Sequence, residues 1–213
     1  MKQTTFLVTT MLILLFSSCK KDDENTYAKF SVKQKVSTSK STNSETFTFS
    51  KALIGISEID FEIETGSDDN DFEYEGAYQF NILTGASSPA ISSAEITPGT
   101  YHELEINIDN VLTSGKSIEI SGTYDNGTTY QFEFTSTLNE DYDIENTTGI
   151  NANAGETVDF ILSLNLEALF NGVDFTTADV DNDNIIRINS SSNSNLASII
   201  ENNLDNIMDF DDD

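Results

Sequence analysis

Three carboxylates at alternate positions, Asp179, Asp181 and Asp183, open the stretch Asp179-Val180-Asp181-Asn182-Asp183-Asn184. Oxygens at the first, third and fifth positions are how an EF-hand loop begins to surround Ca²⁺. Ile186, at the eighth position, is apolar as that loop prefers. Two requirements are not met. The sixth position is Asn184 rather than Gly, although Asn enters the left-handed region more readily than most residues. The twelfth is Ser190, so the bidentate Glu is missing. The spacing therefore supports weak Ca²⁺ binding at most, and otherwise a solvated turn ahead of a short Ile185–Ile188 strand. A second acidic group, Glu62, Glu64, Asp68, Asp69, Asp71, Glu73 and Glu75, reads as a hairpin tip whose charges discourage edge pairing, or as a gatherer of cations.

Nucleophilic chemistry has little to work with. The chain has one cysteine, Cys19, one histidine, His102, and no Gly-x-Ser-x-Gly elbow, so a Ser-His-Asp arrangement has a single possible centre. His102 shares a strand face with Leu104 and Ile106 and reads as a strand-end residue with a satisfied ring. Gly115-Lys116-Ser117 imitates the end of a P-loop, but that motif needs Gly at Asn110 and a helix afterwards, where alternation from Ile118 predicts a strand. A carboxylate pair can cleave glycosides, and 37 acidic residues guarantee chance pairs. Tryptophan is absent, leaving Tyr74, Tyr78, Tyr101, Tyr124 and Tyr130 as sugar-stacking candidates, several of which alternation assigns to the interior.

The elements that must carry these residues follow a period of two. Tyr27 to Val36 places Ala28, Phe30, Val32 and Val36 on one side, and Ser37 to Ser44 reads as a loop. Phe47 to Ile63 is a long strand whose apolar phase slips by one residue near Ser57, which predicts a β-bulge or a strand changing sheets. Strands follow around Tyr78, Phe80 and Ile82, around Leu104, Ile106 and Ile108, and from Val158 to Leu166. Ile118 to Phe134 is a hairpin turning at Asp125-Asn126-Gly127, where Asn-Gly suits a type I′ turn. Beyond it, Glu167 to Gly172 can form one helical turn. Leu196, Ile199, Ile200, Leu204 and Ile207 have helical spacing, with Ser194 as N-cap, and the Asp209–Asp213 tail is expected to fray. The fold class is mainly β: an antiparallel β-sandwich of about seven to eight strands over 27–166, with a strand–helix extension over 167–213.

The N-terminus gives location. Met1-Lys2 precedes an apolar run from Phe6 to Phe16, too short to cross a bilayer, which needs about 20 residues, and shaped like a secretory signal over 1–18. Leu15-Phe16-Ser17-Ser18-Cys19 resembles the lipobox of bacterial lipoproteins, with Phe16 a mild departure. That resemblance implies acylation of Cys19 and attachment to the outer membrane through acyl chains, with 19–26 as a lipidated tether. Lys20-Lys21-Asp22-Asp23-Glu24 resembles the export signal that sends certain lipoproteins to the cell exterior. "AEITPGTYHELEINID", "ALIGISEIDFEI" and "ETVDFILSLNL" resemble segments of an uncharacterised domain family of envelope lipoproteins with a prealbumin-like or carboxypeptidase-regulatory-like sandwich. The resemblance brings no catalytic residues.

Charge narrows the function further. The formal net charge is −27, and beyond Lys51 the only basic residues are Lys116 and Arg187. Such a surface repels phosphate backbones, so nucleic acid is excluded as a partner. The expected role is non-enzymatic binding or structural work at the cell envelope, with a glycan or an envelope protein as ligand and no cofactor beyond the Ca²⁺ candidate. The alternatives are an envelope hydrolase using a carboxylate pair and a Ca²⁺-dependent adhesion or matrix module.

Overall fold

The structure, a computed structural model, describes residues 25–35, 46–63 and 72–212. Cys19, the Lys20–Glu24 stretch, Val36, the Ser37–Ser44 loop and the acids Glu64, Asp68, Asp69 and Asp71 lie outside these residues. In chain order the strands are β1 (Thr26–Gln34), β2 (Thr46–Ile63), β3 (Phe72–Asn81), β4 (Ala86–Ser88), β5 (Ala94–Ile96) and β6 (Gly99–Ile108). They continue with β7 (Ile118–Asp125), β8 (Thr129–Ser136), β9 (Glu140–Ala152), β10 (Thr157–Leu164), β11 (Ile185–Ile188) and β12 (Met208–Asp212). Two helices, α1 (Leu166–Leu169) and α2 (Ser194–Asn202), and two 3₁₀ turns complete the described chain. No helix among the described residues is long and apolar enough to cross a membrane.

The strands form two mixed sheets. The smaller has the order β12-β10-β1-β5; the larger runs β11-β8-β7-β2-β3-β4, with β6 on β2 and β9 on β6. Most pairs are antiparallel, as the alternation led us to expect, but β1 lies parallel to β10 and β11 parallel to β8. A period of two reports which face is buried and carries no information on strand direction. The inner faces meet on aromatic rings: Phe61 of the larger sheet stacks on Phe160 of the smaller at 4.8 Å, and Tyr101 approaches the same ring at 5.1 Å.

β2 organises the larger sheet. Its first half pairs with β7 and its second with β6, and the register shifts between Ile56 and Glu58, which is the bulge expected at Ser57. The change of partner falls at Gly55, whose N–H donates to Ser117 O at 2.7 Å and whose carbonyl accepts from Asp109 N at 3.1 Å. A Cβ here would sit 2.7 Å from Asp109 O, so the 109–117 connection can approach only because residue 55 has no side chain.

Three local expectations change. The β7–β8 hairpin closes by pairing Asp125 with Thr129, so its turn has three residues and only Gly127 takes a positive φ, rather than the Asn-Gly pair of a type I′ turn. α2 is capped by Asn193, not Ser194. Asn193 adopts a φ of 51° and spends its side chain on Asp179 and on Arg187 O. The tail expected to fray is β12, which pairs with β10 from Met208 to Asp212 and buries Phe210 to 2 % exposure. Residues beyond Glu167 thus supply one strand to each sheet, and Leu196, Ile200, Leu204 and Phe210 join the same core as the earlier strands.

Candidate functional site

The Asp179–Asp183 loop is organised around a guanidinium. Arg187 forks onto Asp183, with Nη2 to Oδ2 at 2.7 Å and Nη1 to Oδ1 at 3.1 Å, while Nη1 also bonds Asp181 and Nε faces Glu133 at 3.4 Å. These bonds hold the Asp183 carboxyl below the usual aspartate range. Asn184 takes a φ of 62°, the left-handed position that the sequence required of it. The loop therefore turns through the left-handed region at its sixth position, but Arg187 stands between two of the three carboxylates. Among the described residues no three carboxylates converge as a cation cage.

His102 also departs from simple alternation. The β6–β9 register shifts between Tyr101 and Glu103, so Tyr101 turns into the core and His102 lies half-buried. Its Nδ1 is 3.2 Å from Asn146 O. Gly115, Lys116 and Ser117 lie in the β6–β7 connection and lead into a strand rather than the helix a P-loop needs, as alternation from Ile118 predicts.

The second acidic group proves to be part of a wider surface. On the outer face of the larger sheet, strand register sets Glu75, Glu58, Asn107 and Asp141 in one row across four strands. Glu73, Asp60, Glu105 and Asp143 form the next row, and Glu62, Glu103 and Glu145 the third. No Lys or Arg belongs to these rows. The bases of this sheet lie on its other half, where Lys51 pairs with Glu119 and Arg187 with Glu133. Partial desolvation on the sheet, followed by the neighbouring carboxylates, raises Glu73, Glu103 and Glu105 above the ordinary glutamate value.

These raised values set a pH dependence. Glu73, Glu103 and Glu105 take up protons in the folded protein before they do in the unfolded chain, so the repulsion they feel destabilises the fold fully at neutral pH and is relieved as pH falls toward the ordinary glutamate value of 4.5. The melting temperature at low salt is expected to rise over that interval. It then falls in stronger acid as the depressed carboxyls of Asp125 and Asp183 protonate and lose their partners. Glu105→Gln should flatten the rise and stabilise the protein at neutral pH by about 0.5 kcal/mol, the scale of a cross-strand charge pair. A melting temperature that only falls on acidification would contradict this account.

One recess combines apolar and polar groups. It lies where β2 begins, the β7–β8 hairpin turns and the chain leaves α1, with a volume of about 460 Å³. Phe47, Tyr124 and Phe170 line its floor; Asn126, Asn171, Asp174 and Thr176 stand around it. Tyr124 and Phe170 are buried and Phe47 is half-buried. The rings stack among themselves: Phe47 on Phe170 at 5.3 Å and 28°, Tyr124 on Phe175 at 4.5 Å and 21°. Asp174 caps the following 3₁₀ turn through Thr176 N and Oγ1. Asn126 Oδ1 accepts from Thr128 N, whereas its amide NH₂ and the whole Asn171 side chain make no hydrogen bond among the described residues.

Of the sequence candidates, only Tyr124 belongs to this recess. Phe47 opens a strand and Phe170 and Asn171 fall in a helical turn by their sequence pattern. No spacing rule joins three segments so far apart in the chain. A smaller depression of about 320 Å³ on the sheet face is lined by hydroxyls, among them Thr48, Ser50, Ser121 and Thr123, without an exposed ring.

Position within the fold adds a further fact. Thr26, where β1 begins, is bonded to Asn153 O and Gly155 N at one end of the sandwich. β1 then runs about 30 Å alongside β10, and β10 passes through Leu164 into α1 and Phe170. The recess and the N-terminal approach are therefore at opposite poles.

Fold and recess together define a mainly-β, two-sheet protein with a polar-rimmed aromatic depression at one end. No protein-family model, curated protein or solved structure matches the chain. The resemblance to the envelope-lipoprotein domain family rests on the quoted segments alone.

Proposed function

We propose that this chain is a lipid-anchored cell-envelope protein, tethered to the outer membrane through acylated Cys19, facing the exterior and serving a non-enzymatic binding role. The observation that carries the reading is polarity. The described chain starts at the pole from which a tether of a few residues would reach Cys19, and the recess opens at the other, where a membrane-held protein meets its surroundings. An acidic body also stays off anionic headgroups, which favours holding the sandwich away from the bilayer. Several acyl chains on one cysteine suffice for stable attachment without a spanning helix.

Cell fractionation tests the anchor. The unaltered protein should sediment with outer membranes and incorporate a labelled fatty acid, whereas Cys19→Ser should lose the label and appear in the soluble fraction. Protease added to intact cells should digest the unaltered protein. An unchanged distribution of Cys19→Ser would refute the anchor, and protection from protease would place the domain on the inner side.

A further inference from the structure

We infer that the recess at the distal pole takes one unit of a neutral saccharide, an inference that rests on the binding-protein reading above. Three observations separate this ligand from other chemistry. First, the rings are already engaged face to face with one another, Phe47 with Phe170 and Tyr124 with Phe175. They do not form an open box of the kind that encloses an ammonium group. Phe47 also stacks on Phe49 at 5.8 Å, so what it offers a ligand is the solvent-facing part of a half-buried ring, a small apolar surface suited to the C–H side of a single pyranose ring.

Second, the unused polar groups are amides. The Asn171 side chain and the NH₂ of Asn126 are uncommitted among the described residues, and each amide can donate to and accept from hydroxyls. Binding a polyol leaves these groups satisfied, whereas a purely apolar ligand would desolvate them without return. Third, no lining residue is a base, and Asp174 adds a carboxylate. With a net charge of −27 on the whole chain, uronate, sulfate and phosphate groups are repelled both at the recess and at long range. The volume suits one sugar ring and leaves the rest of a chain in solvent.

The test is an amide NMR titration of the intact chain carrying Cys19→Ser, which keeps it in solution. The probes are neutral gluco-, manno- and galacto-oligosaccharides and, in parallel, a uronate oligosaccharide. At least one neutral series should move the signals of residues 124–128 and 170–176 saturably, and the uronate should not. Asn171→Ala, at an exposed position, should weaken that binding about tenfold without changing the melting temperature, and Phe47→Ala should weaken it at least as much. If every neutral series leaves those signals unmoved at millimolar concentration, the inference is overturned. Shifts confined to the hydroxyl-lined sheet face would also overturn it while sparing the binding-protein reading, and equal uronate binding would overturn the neutral specificity. Anchoring is read separately by fractionation, so failure of one result does not imply failure of the other.

Discussion

Phe160→Ala should destabilise the protein by about 3–5 kcal/mol, a large share of the stability of a domain this size. Phe160 is fully buried in β10 and opposes Phe30 on the neighbouring strand. Its ring also meets Phe61 at 4.8 Å, Tyr101 at 5.1 Å and Phe210 at 5.5 Å. It therefore joins both sheets and meets the first and last described strands, and truncation leaves a cavity that rigid strands on two sides cannot close. Chemical denaturation should show a lower midpoint with an unchanged slope, the signature of lost stability without a change in exposed surface. Phe160→Leu, which keeps most of the volume, should cost about 1–2 kcal/mol. A Phe160→Ala loss below about 1 kcal/mol would mean that the sheets do not meet at this ring.

The second large effect concerns the tail. Phe210→Ala should cost about 3 kcal/mol, and a chain stopped after Ile207 should lose more, because β12 also buries Met208 and covers the edge of β10. The truncation removes the Phe210 carbonyl that accepts from Asn146 Nδ2 at 2.8 Å, loosening β9 against the smaller sheet. It also leaves Ile161 and Leu162 on an uncovered edge, so aggregation at low concentration should accompany the loss. Equilibrium denaturation and light scattering of the two variants decide the point. If the tail frayed as its composition suggests, both variants would match the parent.

That contrast shows what was legible in the sequence. Alternation locates β1, β2, β6, β7, β8 and β10 because one face of each is apolar, and the phase slip at Ser57 marks the bulge. β9 escaped because Asn146-Thr147-Thr148-Gly149 interrupts the alternation between Ile144 and Ile150. β12 escaped because acidic residues flank its single ring, and a strand held by one Phe reads as a polar tail. The acidic rows were visible only as scattered Glu and Asp, since register across four strands decides which of them become neighbours. The Asp179–Asp183 spacing was legible, but its partner, Arg187, follows in the adjacent strand rather than within the loop pattern.

The placement of β1 has a consequence for how the molecule comes into being. The first strand among the described residues lies inside the smaller sheet, with β10 on one side and the three-residue β5 on the other. Its main partner begins at Thr157, and the strand that covers that partner ends at Asp212. A chain leaving the ribosome must hold β1 without its main partner until about three quarters of the polypeptide has emerged, and the smaller sheet stays incomplete until β12 follows. Closing so long a loop before any contact rewards it slows folding. During synthesis that delay leaves the smaller sheet open while the neighbouring strands of the larger sheet, β2 with β3 and β7 with β8, already have their partners.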